Sequence, residues 1–231
     1  MFDLNEALGS QRNFVFLGEA GSGKSEIAVN MAIALAKHGK RPVHLFDLDM
    51  TKPLFRSRDL GQELTGQGIS VHYQEQFMDA PTLVGGADRL LRDDDCYVVL
   101  DVGGDHIGAR SIGGYAPLLN RPSTAACYVV NSFRPWSLDL EHIDQVLGQI
   151  LGVSHIQLEQ LRFLGNPNLG PETSARDIEN GIQQLMDTVG TCAKIEGICV
   201  REDLYGSVKT DQPLFPIRLY LTYPWNTGAA V

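Results

Sequence analysis

Eight consecutive residues near the start of the chain have types and spacing suited to binding phosphate. They fit the pattern GxxxxGK[ST] and are Gly18, Glu19, Ala20, Gly21, Ser22, Gly23, Lys24 and Ser25. Glycines let the backbone curl so that successive N–H groups point at an anion, and the amino end of a following helix adds partial positive charge. We therefore expect all eight residues to bind a nucleotide cofactor, with Lys24 acting catalytically at the β- and γ-phosphates and the Ser25 hydroxyl binding Mg²⁺.

Carboxylates stand at the ends of two predicted strands. The strand Tyr97–Asp101 ends in Asp101, which we expect to hold Mg²⁺ directly or through a water molecule. The strand Val43–Asp47 ends in Asp47, and Asp49 follows on the same side of an extended chain. One of this pair is expected near the metal and the other beside the attacking water, while a loop-capping role for either one fits the sequence equally well.

A second glycine-containing loop, Gly103-Gly104-Asp105, follows the strand that ends in Asp101. The Gly104 amide is expected to hydrogen-bond the γ-phosphate of a bound nucleotide. Loss of that phosphate would then release the loop.

Short apolar runs alternate along the chain with longer stretches of helical period, which is typical of strand-helix units on a mostly parallel sheet. Several runs are apolar throughout, as expected for strands covered by helices on both faces. We predict an α/β fold with a single doubly wound, mostly parallel sheet flanked by helices in three layers. Residues 1–231 are expected to form one P-loop nucleotide-binding domain with an extended C-terminal segment, 213–231. The predicted strands are Phe14–Leu17, Val43–Asp47, Ile69–Tyr73, Tyr97–Asp101, Ala126–Asn131, Leu161–Gly165 and Ile195–Val200.

Three helices are predicted from apolar residues that recur every three or four positions. The first follows the phosphate loop and ends before Gly39, where a left-handed cap is expected. The second is expected to begin at Ser137, just after Pro135, and the third at Thr173.

Composition excludes several classes of protein. The chain has 231 residues with 43% hydrophobic and 20% charged residues, which rules out wholesale disorder. Its net charge of -9 argues against a nucleic-acid partner. No apolar run approaches the roughly 18 residues that a membrane span needs, and there is no secretory leader pattern, so we expect a cytoplasmic protein without a membrane helix. Its cysteines form no CxxC pair and are expected to be reduced thiols.

The motifs GEAGSGKS, DLD and LDVGGD occur in an order that resembles the MinD/ParA group of P-loop ATPases, of the SIMIBI class. The segment DVGGDHIGARSIGGYAPLL is similar to the switch II region of the nitrogenase iron protein. This resemblance covers about residues 12–200. It implies ATP and Mg²⁺ as cofactors, a homodimer whose shape changes with nucleotide state, and a protein client. By the same analogy Asp49 orients the attacking water, which leaves Asp47 for the metal, and Asp105 is the alternative catalytic residue.

Two positions depart from the family pattern. The family usually has a lysine directly after the first glycine of the loop, where it reaches the nucleotide of a partner subunit. Glu19 stands there in this chain and would repel a partner's phosphates. Either the face-to-face dimer is altered, or another cation, Lys52 or Arg56, supplies the missing charge. The cluster cysteine of the iron protein is replaced by Gly108, and an iron–sulfur cluster is not expected.

The base preferred by the site is predicted from a later strand end. GTPases of related folds have an NKxD motif there, whereas this chain has Gly165-Asn166-Pro167-Asn168-Leu169 without the aspartate, which favours adenine. Asn166 is either a contact to the base or part of a plain Asn-Pro turn, and the sequence supports both equally.

Three functions are compatible with these motifs. The first is an ATPase, converting ATP and water to ADP and phosphate, that acts as a switch for assembly, positioning or delivery of a partner. The second is a small-molecule kinase, which would need an arginine-rich lid; the candidate residues are Arg56, Arg58, Arg89 and Arg92. The third is a nucleotide-sensing module with little turnover, which the glutamate at position 19 suggests.

Overall fold

The computed structural model describes residues 11–49, 60–73 and 86–221. In these residues eight strands form one sheet in which every neighbouring pair is parallel. The strands are β1 Asn13–Leu17, β2 Val43–Asp47, β3 Ile69–Tyr73, β4 Tyr97–Asp101, β5 Thr124–Val130, β6 Leu161–Gly165, β7 Ile195–Arg201 and β8 Leu214–Ile217. Their order across the sheet is β3-β2-β4-β1-β5-β6-β7-β8, so β1 lies between the two halves of a doubly wound sheet.

Seven α-helices lie in the same described ranges. They are α1 Lys24–His38, α2 Gly61–Gly66, α3 Ala87–Arg92, α4 Asp105–Ala109, α5 Ala116–Leu119, α6 Leu140–Ser154 and α7 Ala175–Asp187. Short 3₁₀ turns at Arg110–Tyr115, Pro135–Ser137, Leu158–Gln160 and Val189–Thr191 connect some of these elements.

Alternation of side chains along the strands divides the core into two layers, one on each face of the sheet. On one face Phe14 and Phe16 of β1 pack with α1 and α2. On the other face Val15 and Leu17 pack in a cluster that includes residues of α3, α6 and α7. The predicted three-layer α/β fold is therefore confirmed, and the sheet is parallel throughout.

The helix ends show where the sequence prediction succeeded and where it was wrong. Helix α1 ends at His38 and is capped by Gly39, which has a φ of 66° as a left-handed cap requires. The predicted start of the second helix at Ser137 was wrong, because Pro135–Ser137 forms a separate 3₁₀ turn. Helix α6 begins three residues later, where the Asp139 carboxylate accepts a hydrogen bond from the His142 backbone N–H at 2.9 Å.

The third predicted helix also begins later than expected. Its amino-terminal cap is Ser174, whose hydroxyl accepts from the backbone N–H of Asp177 while the Asp177 carboxylate accepts from the backbone of Ser174. Thr173 therefore precedes the cap instead of starting the helix.

The segment predicted to be extended at the carboxyl end contributes β8, which pairs with β7. Residues 222–231 of that segment lie outside the described part of the chain. Within the described residues, none of the helices has the length and apolar character required to cross a membrane.

Candidate functional site

The glycine-rich loop connects the end of β1 to the start of α1, which is the context that its motif requires. Three of its glycines have positive φ angles: 137° at Gly18, 78° at Gly21 and 95° at Gly23. Side chains are strained at such angles, so the sequence needs glycine at these three points. The loop is tightened further because the Ser22 N–H donates to the Glu19 carbonyl at 3.1 Å. The backbone of residues 18–25 therefore has the turns of an amide nest, which is a concavity where successive N–H groups can face an anion.

The two residues that end the loop are buried at the first turn of α1. Lys24 is 1% exposed, and its Nζ donates to the Glu19 carbonyl at 2.9 Å. The Ser25 Oγ is buried and has no hydrogen-bond partner among residues 11–49, 60–73 and 86–221. A buried hydroxyl without a hydrogen-bond partner at a helix amino terminus is a suitable ligand for a cation that prefers oxygen, such as Mg²⁺. The residues present therefore fit the metal expected here.

Asp47 and Asp101 are adjacent at the carboxyl ends of β2 and β4, where the strand register pairs them directly. Leu45 and Val99, two residues before each, both pack in the core layer beneath α1. Because side chains alternate along a strand, the two carboxylates are directed to the face of the sheet that carries α1 and Ser25. Asp47 and Asp101 are therefore neighbours on the same face of the sheet as Ser25, the third residue that the sequence assigned to Mg²⁺.

The loop after β4 lies directly against the phosphate loop. A Cβ atom on Gly104 would stand 2.7 Å from the Ala20 Cα and 2.8 Å from the Ala20 nitrogen, so only a glycine allows this approach. The Asp105 N–H donates to the Gly18 carbonyl at 3.3 Å. The two loops are thus in backbone contact.

Both candidates for positioning water flank this second loop. Asp49 is buried, and its Oδ1 lies 3.2 Å from the position that a Cβ on Gly103 would take. Asp105 has a φ of 63°, an uncommon angle for a residue with a side chain, and its Oδ1 accepts from the Ile107 N–H at 2.7 Å. In this conformation the Asp105 carboxylate caps its own turn, whereas the Asp49 carboxylate lies beside Gly103.

Glu19 is buried and hydrogen-bonded, whereas a glutamate that repels a partner's phosphates would be exposed. Its side chain is only 8% exposed, and its Oε2 accepts from the Ser137 hydroxyl at 3.1 Å. The Trp136 backbone N–H donates to the same carboxylate, and burial raises the pKa of Glu19. The glutamate therefore ties the phosphate loop to the segment after β5. The proposed replacement cations Lys52 and Arg56 lie outside the described residues.

Asn166 braces the phosphate loop from the end of β6. Its Nδ2 donates to the Ser22 carbonyl at 2.7 Å, and the side chain is buried. It lines a small cavity together with Gly23 and Arg134. Sequence reasoning missed Arg134, which contacts Gly21 and which no motif marks.

Gly108, at the position of the iron protein's cluster cysteine, packs against the backbone of Gly103. A Cβ atom at this position would overlap the Gly103 carbonyl, so a cysteine would displace the loop. Among the described residues there is also no group of three His, Cys, Asp or Glu side chains arranged to hold a metal ion.

Glu26, the residue after Ser25, anchors the chain that follows β8. Its carboxylate accepts from the backbone N–H groups of Tyr220 and Leu221, each at 2.9 Å. One turn later, Asn30 bonds both backbone groups of Arg218. These contacts hold the chain after β8 against the first two turns of α1.

The stability of the protein is expected to depend on the protonation of Glu26. Burial raises its pKa from 4.5 to about 7, outweighing the two amide donors. The folded state therefore binds the proton more tightly than the unfolded state, and the stabilisation is present below pH 4.5 and lost as pH rises through about 7. This linkage amounts to about 3 kcal/mol.

Urea unfolding of wild-type protein and Glu26→Gln at pH 5 and pH 8 tests this expectation. Raising the pH from 5 to 8 should lower the unfolding free energy of the wild-type protein, relative to that of Glu26→Gln, by up to about 3 kcal/mol. A difference that is the same at both pH values would contradict it.

A phosphate loop between β1 and α1, with acidic strand ends beside it in a doubly wound parallel sheet, defines a P-loop nucleotide-binding protein. Residues 14–209 match the family model described as the CobQ/CobB/MinD/ParA nucleotide binding domain, and the chain belongs to this family. A comparison with curated proteins gave no match.

Several solved structures have a similar chain path. Signal Recognition Particle 54 kDa protein from Aeropyrum pernix K1 in complex with GDP is 15% identical, with a TM-score of 0.49, covering 85% of this chain and 43% of that one. FlhF complexed with GTP/Mg(2+) is 12% identical, with a TM-score of 0.49, covering 84% and 66%. The BceF tyrosine kinase domain is 20% identical, with a TM-score of 0.40, covering 68% and 69%. The chain thus spans less than half the length of the signal recognition particle protein.

Proposed function

We propose that this chain is a Mg²⁺-dependent ATP-binding protein that hydrolyses ATP and acts as a nucleotide-driven switch for a partner protein. The observation that carries the proposal is the backbone contact between the two loops, in which Gly104 lies against Ala20 and Asp105 bonds Gly18. A γ-phosphate held in the amide nest would lie next to this second loop. Its presence or loss would therefore move residues 103–109.

Each residue of the site has a separate proposed role in phosphoryl transfer. The amides of residues 18–25 cradle the phosphates, and the Lys24 ammonium exchanges its bond to the Glu19 carbonyl for the β- and γ-phosphates. Mg²⁺, when bound, neutralises charge on the phosphate oxygens, and Ser25, Asp47 and Asp101 would hold it. Asp49 orients the water, with Asp105 as the second candidate.

Adenine is the proposed base, because the end of β6 lacks the aspartate that would accept from guanine. Asn166 is the proposed contact to the base, supported by its position in the lining of the cavity beside the loop, where its amide also donates to the Ser22 carbonyl. The proposed assembly is a homodimer that forms or changes with nucleotide state and acts on a protein client in the cytoplasm.

The kinase alternative receives less support from the described residues. Of the four arginines that could form a lid, Arg89 and Arg92 lie on α3, and Arg92 forms an exposed ion pair with Asp88 there. Arg56 and Arg58 lie outside the described residues.

One set of measurements on wild-type protein and Lys24→Ala separates the three functions. Nucleotide binding, phosphate release and mass in solution are measured with ATP, ADP and GTP. Slow turnover that depends on Lys24 and a mass that changes with nucleotide are expected for the switch. Phosphate transfer only in the presence of a metabolite pool would indicate a kinase, and tight binding without turnover would indicate a sensor.

A further inference from the structure

Arg134 reaches from the segment after β5 onto the phosphate loop. Its Nε donates to the Gly21 carbonyl at 2.9 Å. A Cβ atom on Gly21 would stand 3.2 Å from the Arg134 Nε and 3.3 Å from its Cζ, so the guanidinium covers this glycine closely. A side chain at position 21 would compete with the arginine for the same space.

The segment that carries Arg134 is fixed to the same loop at a second point. Ser137 and the Trp136 backbone bind the Glu19 carboxylate, two residues before Gly21. The arginine is therefore attached at Gly21 and its backbone is held close by at Glu19. This double attachment positions the guanidinium before any ligand binds, which lowers the entropy cost of using it.

The outer part of the guanidinium remains available for a ligand. In the described parts of the chain its two terminal nitrogens have no hydrogen-bond acceptor, and the nearby Glu19 carboxylate interacts with the guanidinium through charge alone. Arg134 also lines the small cavity that contains Gly23 and Asn166, beside the amide nest. Planar guanidinium groups with free N–H donors are well suited to phosphate oxygens.

We propose that Arg134 is a second phosphate-binding cation of this site and that it contacts the nucleotide held by its own chain. The inference rests on the proposed function, because it requires a polyphosphate in the loop. It supplies a positive charge at a site where Glu19 replaces the lysine usual in the family, and it makes this charge independent of a partner subunit. The bond to Gly21 of the same chain is the reason for assigning the contact in cis.

Substitution by glutamine separates the charge from the loop contact. The amide nitrogen of Gln stands at the same position along the side chain as Nε of Arg, so Arg134→Gln retains a donor for the Gly21 carbonyl but removes the guanidinium. Arg134→Lys retains a positive charge but loses the planar donor group. Arg121→Ala is the matched control, because Arg121 is exposed and precedes β5 at the opposite end of the sheet.

Titration calorimetry with Mg²⁺-ATP and Mg²⁺-ADP on the full chain tests the proposal. Arg134→Gln should bind both nucleotides about 10- to 150-fold more weakly, with an affinity less sensitive to salt, while Arg134→Lys recovers part of the loss. Arg121→Ala should bind as wild-type protein does. Wild-type affinity in Arg134→Gln would overturn the proposal, whereas absence of binding in the wild-type protein would instead overturn the proposed function.

Mixing two defective variants tests whether the contact is made in cis. Lys24→Ala retains Arg134 but lacks a working loop, and Arg134→Gln retains the loop. If the arginine acts within its own chain, the mixture binds no more nucleotide at a given concentration than the sum of the two variants alone. Recovery of wild-type affinity in the mixture would overturn the assignment in cis.

Discussion

Replacing Lys24 with alanine is expected to abolish the thermal stabilisation of the protein by Mg²⁺-ATP. Lys24 is 1% exposed, and its ammonium donates to the Glu19 carbonyl within the loop. A bound polyphosphate would replace this neutral acceptor by charged oxygens, which form much stronger bonds. We expect nucleotide affinity to fall by at least about 100-fold. Thermal unfolding with and without millimolar Mg²⁺-ATP measures the effect.

Lys37→Ala is the control for this substitution. Lys37 lies in the last turn of the same helix and is exposed, so its substitution removes the same charge far from the loop. It should retain the full nucleotide-induced rise in melting temperature. An equal rise in Lys24→Ala would show that the loop does not bind phosphate through this lysine.

Replacing Gly104 with alanine is expected to reduce ATP turnover by about 100-fold while leaving the affinity for ADP, which lacks the γ-phosphate, nearly unchanged. The backbone of Gly104 has φ of -63° and ψ of 150°, which alanine adopts without strain, so the effect comes from contact alone. The added methyl group would stand 2.7 Å from the Ala20 backbone, and the loop must move away. Displacement of a catalytic group by about 1 Å costs about this much in rate.

Gly114→Ala provides the matched comparison, because a Cβ atom at Gly114 meets nothing within 4 Å. Both substitutions add one methyl group to the segment after β4. Phosphate release and nucleotide binding measured side by side should show a loss of turnover only for position 104. Equal turnover in the two variants would mean that contact between the loops has no part in hydrolysis.

The strands could be predicted closely because their apolar runs are local signals. The runs at Val43–Asp47 and Tyr97–Asp101 coincide with β2 and β4 as observed. The start of α6 was placed wrongly because Pro135 and Ser137 have the residue types of a helix start, while the capping contact is made by Asp139. Only the geometry of the cap distinguishes these positions.

The glycine loop and the strand-end aspartates could also be predicted, since their spacing and their positions after apolar runs are visible in the sequence. The side-chain contacts that distant parts of the chain make with this site could not be predicted. Arg134 meets Gly21 across 113 positions of the chain, and Glu26 meets Tyr220 across 194. Such pairings depend on the order of strands in the sheet. The burial of Glu19 against Ser137 was missed for the same reason.

Direct titration of the wild-type protein with ATP, in the presence of Mg²⁺ and after its removal by a chelator, tests the central claim. The geometry of the amide nest, Lys24 and Ser25 predicts one nucleotide bound per chain, with an affinity that falls when the metal is removed. A protein that is folded but binds no nucleotide at millimolar concentration would contradict the account.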